Sequence, residues 1–291
     1  MEKEQIIHLT DGRRLSYAEY GVTDGFPIFY FTGGNSSRLE GLWFATTAVA
    51  HNIRLIVPDR PGFGLSTPHA RRTLLSWSED VIALAEQLDI AQFSIFGLSG
   101  GGPHVLATAV SIPERLHRVA VISGTAPPTM NGRFHGMWFP VKLIFWSAKH
   151  APRFNRFLLK QMSSFYSNPN EMKKRMVQAL PMPDVQLITE RPEVIDIFAA
   201  ATQESHRFGI DGDAREWQLY VNDWGFELDE VMTEVNLWYG RYDRQVPIGM
   251  GHYLAQNLPN AILNEVEDGG HFSTINNYIT EIFEYLTSVQ R

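Results

Sequence analysis

The residue best placed to do chemistry is Ser99, in the stretch Gly97-Leu98-Ser99-Gly100-Gly101. A β-favouring run precedes this stretch and a run of small helix formers, 105–110, follows it. In that context Gly-x-Ser-x-Gly indicates a nucleophile elbow, a sharp strand-to-helix turn that presents a serine hydroxyl. The hydroxyl would lie at a helix N-terminus, where unpaired N–H groups favour a developing anion. A phosphate-binding loop is disfavoured, because no lysine follows the glycines.

A serine hydroxyl becomes a good nucleophile only when a base takes its proton and an acid orients that base. Asp243 and His271 each come shortly after a strand pattern and are the candidates for acid and base. Asp268 is closer to His271 in sequence, but no strand end positions it, and we interpret it as a solvated loop residue. His104 lies in the helix pattern after the elbow and is expected to point away from Ser99.

The composition is that of an ordinary globular protein. The 291 residues are 44% apolar and 20% charged, which is enough to bury a large core. A formal net charge of −7 provides no basic surface for nucleic acid or for an anionic membrane. Because cysteine is absent, disulfides and thiolate metal sites are excluded. The chain opens without an apolar leader and has no run of the ~20 apolar residues that span a membrane, so we expect a cytoplasmic protein.

Strand and helix patterns alternate on both sides of a long middle segment. A hairpin signal at Asp11-Gly12 opens the chain, and apolar strand patterns follow at 27–31, 54–58, 93–96 and 119–122. Beyond the middle segment, strands are predicted at 236–239 and 261–266, and a closing helix at 278–289. The short links predict an α/β fold with a mostly parallel sheet. Ligands bind at the carboxyl edge of such sheets, where the loop that carries Ser99 would lie.

The middle segment, residues 127–224, has a different texture, and we call it the cap. Strand signals vanish there, and short helical patterns are interrupted by prolines. Since the cap lies between two strands, it is predicted to rise over the edge near Ser99 and to shape an apolar pocket. The large apolar candidates for lining that pocket are Trp138, Phe139, Phe145, Trp146, Phe165 and Tyr166. Asp211, Asp213 and Glu216 lack a metal-ligand spacing and are interpreted as solvated charge.

Four pieces of this sequence resemble the α/β hydrolase superfamily. They are Gly97 to Gly101, the run Asp59-Arg60-Pro61-Gly62-Phe63-Gly64-Leu65-Ser66, Gly240 to Asp243 with Val246-Pro247, and Gly270-His271. The resemblance covers roughly residues 5–125 and 226–291. It implies an α/β sheet of about eight mostly parallel strands with helices on both faces, built from residues 1–126 and 225–291 with the cap inserted. It also implies Ser99 as nucleophile, His271 as base, Asp243 as orienting acid and Asp59 as a structural residue.

An oxyanion hole needs two N–H donors aimed at the tetrahedral oxygen. The resemblance assigns them to Gly100, directly after the nucleophile, and to Gly34, in the loop after the third strand. This loop departs from the family pattern. Many members have His-Gly at its start and proline soon after, whereas this chain has Thr32-Gly33 and Asn35. Main-chain donors survive such changes, so the hole is expected to remain while the substrate class stays open.

Together these features predict a serine hydrolase that cleaves a carboxylic ester or a related acyl compound through an acyl-enzyme, without metal or cofactor. The expected partner is a small apolar acyl substrate, with no nucleic acid and no membrane span. An amidase, peptidase, C–C bond hydrolase or perhydrolase could use the same residues. A non-catalytic module that binds a small ligand or signals through it is the alternative from another class. The sequence leaves the physiological substrate and the oligomeric state open.

Overall fold

A computed structural model describes residues 4–166 and 168–288, without the side chains of Phe165 and Tyr166. The described residues form one eight-stranded sheet in the order β1-β2-β4-β3-β5-β6-β7-β8. β2 pairs antiparallel with β1 and with β4, and all the other neighbours are parallel. The strands are β1 Gln5–His8, β2 Arg14–Gly21, β3 Phe26–Phe31, β4 Ile53–Pro58, β5 Phe93–Leu98, β6 Leu116–Ile122, β7 Val235–Gly240 and β8 Ala261–Val266. The predicted α/β fold class is confirmed.

Helices cover both faces of the sheet, and this arrangement explains why its central strands are apolar throughout. Along β3 the side chains alternate between two cores: Phe29 and Phe31 pack on one face, Ile28 and Tyr30 on the other. The first face is covered by α2 (Trp77–Gln87), α3 (Gly101–Ser111) and α10 (Gly249–Asn257). The second face is covered by α1 (Ala45–Ala50) and α11 (His271–Thr287). Short 3-10 helices occur at Arg38–Phe44, Pro113–Arg115 and Leu228–Glu230.

Six helices fill the described part of the chain between β6 and β7. They are α4 Phe139–His150, α5 Pro152–Tyr166, α6 Pro169–Ala179, α7 Met182–Glu190, α8 Glu193–Ser205 and α9 Asp211–Val221. Most begin next to a proline, which fits the first turn of a helix because its missing N–H would be unpaired there anyway. All six lie within the segment that we call the cap, whose exact bounds as a domain remain a prediction.

The closing helix begins earlier than its apolar pattern suggests. The sequence predicted a helix at 278–289, but α11 starts at His271. Its first turn has one apolar residue, Phe272, and its N–H groups are held by hydrogen bonds from outside the helix, so apolar periodicity could not reveal it. Within residues 4–166 and 168–288, no helix is both long and apolar enough to cross a membrane.

Candidate active site

Ser99 occupies a strained turn between β5 and α3. Its φ is +54°, a conformation that non-glycine residues rarely adopt. Backbone segments pack so closely around this turn that the residues two positions before and two positions after Ser99 have no room for a side chain. A Cβ on Gly97 would lie 2.8 Å from the carbonyl carbon of Gly101, and a Cβ on Gly101 would lie 2.1 Å from the Phe31 oxygen. The Gly-x-Ser-x-Gly spacing is therefore a steric requirement of this turn.

His271 and Asp243 form a buried hydrogen-bonded pair at the same edge of the sheet. The Nδ1 atom of His271 lies 2.7 Å from Oδ2 of Asp243. The other carboxylate oxygen of Asp243 accepts the N–H groups of Gln245 (2.8 Å) and Val246 (2.9 Å), which fixes the carboxylate. Burial alone would lower the pKa of His271, but the nearby carboxylates, Asp243 first among them, together outweigh it and raise that pKa. Asp268 is exposed and takes no part in this pair.

Ser99 and His271 line one cavity of about 400 Å³, together with Gly34 and Gly100. Among the described residues, no hydrogen bond joins the Ser99 hydroxyl to the imidazole of His271. The structure thus brings Asp243 into contact with His271 and places Ser99 on the same cavity. Catalytic hydrogen bonds often close only when substrate is bound.

Gly34 and Gly100 bring two backbone segments together at the floor of this cavity. A Cβ on Gly100 would lie 3.0 Å from the Gly34 nitrogen and 2.2 Å from the hydroxyl oxygen of Tyr220. Within the described part of the chain, the N–H groups of Gly34 and Gly100 donate no hydrogen bond to another protein group. Two free main-chain donors beside Ser99 are what an oxyanion hole needs.

Arg60 supports the loop that carries Gly34. Its guanidinium donates to the carbonyl oxygens of Thr32 and Gly33, each at 2.7 Å. On its other side, Arg60 Nε lies 2.9 Å from Oε1 of Glu216, a residue of α9. This contact joins the loop of the core to a helix of the cap. It explains how the loop is held with Thr32 in place of the histidine found in many family members.

Glu216 is the centre of a buried charge cluster. Its carboxylate contacts Arg72 at 2.5 Å and His104 Nε2 at 2.7 Å, and it accepts the hydroxyl of Tyr220 at 2.7 Å. Burial would raise the pKa of Glu216, but Arg60 and Arg72 outweigh it and hold that pKa well below its usual range. Burial lowers the pKa of His104 to about 4, so His104 is neutral and donates from Nε2 to the carboxylate.

The interpretation of three cap acids as solvated charge is wrong for two of them. Glu216 is fully buried and Asp213 is 2% exposed, next to His206 at 3.3 Å. Only Asp211 is exposed, paired with Arg156. Three partners of Glu216, namely Arg60, Arg72 and His104, come from distant parts of the chain, so local sequence could not indicate its burial. Among the described residues, no group of three acidic or histidine side chains could hold a metal ion.

The six apolar cap candidates differ in whether they line the cavity. Trp138 and Phe145 line the cavity with Ser99. The prediction is wrong for Phe139 and Trp146, which are 70% and 51% exposed. Each follows a cavity-lining residue by one position, and one position rotates a helix by about 100°, towards solvent. The side chains of Phe165 and Tyr166 lie outside the described residues, so their candidacy stays a prediction.

Sequence reasoning missed several residues that shape the site. Tyr220 lines the cavity next to Gly100, and Glu216, one turn earlier on α9, holds the Tyr220 hydroxyl. Their spacing of four residues on a helix was a readable signal for a shared face. Asp184, whose carboxylate contacts the backbone of His271, left no signal, because a single acid between prolines is typical of a loop or helix start.

Comparison with known proteins identifies the family of this fold. The sequence pattern of the α/β hydrolase fold matches residues 32–278. A 2-hydroxymuconate semialdehyde hydrolase from Pseudomonas putida is 27% identical over 274 residues, covering 92% of this chain and 87% of that protein. A 2-hydroxy-6-oxo-6-phenylhexa-2,4-dienoate hydrolase from Burkholderia cepacia is 27% identical over 238 residues, covering 77% of this chain and 73% of the relative.

Solved structures agree on the architecture. The enol-lactonase from Burkholderia xenovorans LB400 superposes with a TM-score of 0.71 at 19% identity, over 98% of this chain and 100% of that one. An esterase from Exiguobacterium antarcticum gives 0.72 at 17% identity, over 98% and 99% of the two chains. At these identities the likeness shows the fold alone. The chain belongs to the α/β hydrolase fold family, which supports a hydrolase function.

Proposed function

We propose that this protein is a serine hydrolase that cleaves a carboxylic ester or related acyl compound through an acyl-enzyme. The observation that carries the proposal is the buried Asp243–His271 pair, with its 2.7 Å contact, whose imidazole lines the same cavity as Ser99. Ser99 has the strained backbone expected of a nucleophile elbow. His271 thus connects the buried acid to the cavity of the proposed nucleophile, and this arrangement supports the proposal more specifically than any of the three motifs alone.

The proposed mechanism assigns a role to each group. His271 takes the proton of Ser99 through Nε2, and the serine oxygen attacks the carbonyl carbon of the substrate. The N–H groups of Gly34 and Gly100 hold the oxygen that becomes negative. His271 then gives its proton to the leaving group, which departs and leaves an acyl-enzyme. Water, deprotonated by His271, attacks the acyl-enzyme and releases the acid.

The cavity supports a small apolar acyl group as the bound part of the substrate. About 400 Å³ is sufficient for a small ligand. The side chains that the cap contributes to its lining include Trp138, Val141, Ile144, Phe145, Leu158 and Met162. None of these is charged, and burial of apolar surface would therefore supply most of the binding free energy. A cytoplasmic location remains part of the proposal and follows only from the sequence.

The test is hydrolysis of p-nitrophenyl esters by the wild-type protein and by Ser99→Ala. We expect Ser99→Ala to remove nearly all turnover while the circular dichroism spectrum stays unchanged. An organophosphorus reagent should modify Ser99 in the wild-type protein. Ser123 is the matched rival, because it also follows a strand with a positive φ of +46°. Labelling at Ser123, or full activity in Ser99→Ala, would contradict the assignment.

C–C bond hydrolysis is a second candidate, favoured by the two curated relatives described above, which are hydrolases of 2-hydroxymuconate semialdehyde and of a phenylhexadienoate. The same acyl-enzyme chemistry serves this reaction when His271 gives its proton to the carbon atom that departs with the electron pair of the broken C–C bond. The two candidates are separated by comparing kcat/KM for an ester series and for a 2-hydroxy-6-oxodienoate. A preference of 100-fold or more for the dienoate would replace the ester assignment while leaving Ser99, Asp243 and His271 in their roles.

A further inference from the structure

Asp184, on the cap helix α7, caps the first turn of α11 from a position 87 residues earlier in the chain. Its Oδ2 accepts the N–H of His271 at 2.9 Å. Its Oδ1 accepts the N–H groups of Phe272 (3.0 Å) and Ser273 (2.8 Å) and the Ser273 hydroxyl (2.8 Å). The first N–H groups of a helix have no partner within the helix. In α11, the Asp184 carboxylate accepts the hydrogen bonds of three of these N–H groups.

The turn is built to admit this carboxylate. The residue at the N-cap position is Gly270, which has no side chain to cap the helix itself. A Cβ on Gly270 would lie 2.4 Å from Oδ1 of Asp184, so any larger residue would push the carboxylate away. Asp184 is fully buried, and burying a carboxylate is costly unless hydrogen bonds compensate it. The hydrogen bonds and the close fit against Gly270 therefore hold the Asp184 carboxylate in one position.

We propose that Asp184 is a positioning residue for His271, through which the cap holds the proposed catalytic histidine at the cavity. The inference rests on the proposed function, in which His271 becomes an imidazolium in each transition state. The hydrogen bond to its backbone holds the residue at the cavity. The negative charge offsets the partial positive charge of the α11 N-terminus, which would otherwise disfavour an imidazolium at this position.

Three carboxylates act on His271 from three different elements. Asp243 contacts the imidazole from the loop after β7, Asp184 lies behind it on α7, and Glu40 acts from the 3-10 helix Arg38–Phe44. Burial lowers the pKa of His271, and the carboxylates together raise it above its ordinary value. Only Asp184 belongs to the cap. Removing its charge while keeping its shape should lower the pKa of His271.

The experiment compares Asp184→Asn with the wild-type protein by NMR titration of the His271 imidazole, assigned from the signal that His271→Asn lacks. Glu190→Gln is the matched control, because it removes the same charge from an exposed position on the same helix. We expect the His271 titration, and with it the acid limb of kcat/KM, to move to lower pH in Asp184→Asn only. We expect kcat to fall by about tenfold, with KM changed by less than twofold, as the base weakens.

An unshifted His271 titration in a folded Asp184→Asn variant would overturn the inference, and so would an equal shift in Glu190→Gln. If Asp184→Asn does not fold, Asp184→Ser provides the same test, since it keeps a hydrogen-bonding oxygen without charge. The NMR readout needs no activity. Failure of the proposed function, seen as a wild-type protein without esterase turnover or Ser99 labelling, is thus distinct from failure of this inference.

Discussion

At the scale of single residues, the carboxylate of Asp243 is held by hydrogen bonds on both of its oxygens. One oxygen bonds His271 and the other accepts two backbone N–H groups, so the carboxylate cannot rotate without losing a hydrogen bond. Asp243→Asn keeps the shape but favours the wrong tautomer of the imidazole. We expect kcat to fall by about 10⁴-fold, as in serine proteases, with little change in KM.

Asp268→Asn is the matched control, because Asp268 is exposed in the loop just before His271. Steady-state kinetics on one ester, with thermal melts of both variants, make the comparison. If Asp268→Asn lost as much activity while Asp243→Asn remained active, the acid would be assigned wrongly.

Gly100 is the residue at which the floor of the cavity is tightest. A Cβ there would lie 2.2 Å from the Tyr220 hydroxyl oxygen and 3.0 Å from the Gly34 nitrogen, so Gly100→Ala must displace Tyr220 and would press on the proposed oxyanion donor of Gly34. Loss of one such donor costs about 10²–10³ in kcat. We expect a fall in that range, measured as kcat on an ester whose KM is unchanged.

Gly249→Ala is the control for that substitution, because a Cβ there meets open space at the start of α10. It should keep wild-type kinetics. If Gly100→Ala also kept them, the oxyanion donors would have to lie elsewhere in the cavity.

The residue scale also shows what could be predicted from sequence. Ser99, Asp243 and His271 were predictable as candidates because each follows a strand pattern, and parallel strands end at one edge of a sheet. The buried roles of Glu216 and Asp184 were not predictable. Each depends on partners more than 80 residues away in sequence, and an isolated acid in a helix has the same local pattern whether it is buried or solvated.

At the scale of secondary structure elements, α4 has a cavity face and a solvent face. Phe145 lines the cavity, while Trp146 is 51% exposed. We expect Phe145→Ala to change the relative kcat/KM values across esters of increasing acyl length by about 10–200-fold, because apolar contacts discriminate at 1–3 kcal/mol per methylene. Trp146→Ala, one position along the same helix, should leave the order of the series unchanged. An unchanged order in both variants would mean that α4 does not select the acyl group.

Glu216 joins helix α9 to the core through its contacts with Arg60 and Arg72. Glu216→Gln would leave Arg60 and Arg72 buried without their carboxylate, which costs about 3–5 kcal/mol of unfolding free energy. Urea unfolding at pH 7 measures this loss. Glu171→Gln is the control, since its pair with Arg175 is exposed and such pairs contribute little. Equal unfolding free energies for the two variants would contradict the role of the cluster.

The same cluster predicts a pH dependence of stability. The pKa of Glu216 is depressed in the folded protein below the unfolded value near 4.5, because Arg60 and Arg72 outweigh its burial. Its contribution is therefore complete above that value and is lost as pH falls through the folded pKa. We expect the difference in unfolding free energy between wild type and Glu216→Gln to be constant near neutral pH and to shrink in acid below pH 4.5. A difference that stays constant far into acid would exclude this linkage.

At the scale of the whole molecule, the order of strands and helices was predictable and the joining of cap to core was not. Alternating strand and helix patterns with short links leave few topologies open, so the sheet followed from local sequence. The sequence of the cap has no comparable alternation of strands and helices from which its packing on the core could be predicted. The cap's contacts with the core include single buried charges and rings as well as apolar side chains, which only the folded chain brings together.

These contacts lead to a prediction about how the molecule unfolds. Pairs that cross between the core and the cap helices include Arg60–Glu216, Arg38–Glu204, Ser273–Asp184 and the rings of Trp43 and Phe198. Both apolar cores also contain residues of the cap and of the sheet. Neither part can open without exposing buried charge and apolar surface of the other. We therefore expect one cooperative transition for the whole chain.

Calorimetry tests this expectation through the ratio of calorimetric to van't Hoff enthalpy, which equals one for a two-state transition. Hydrogen exchange adds a local readout, since amides of α9 in the cap and β5 in the sheet should lose protection together. Glu216→Gln should lower the melting temperature without splitting the transition, because the core–cap contacts that do not involve Glu216 remain. If α9 lost protection at lower denaturant concentration than β5 in the wild-type protein, the cap would be an independent folding unit. Asp184 could then be released from His271 without unfolding of the sheet.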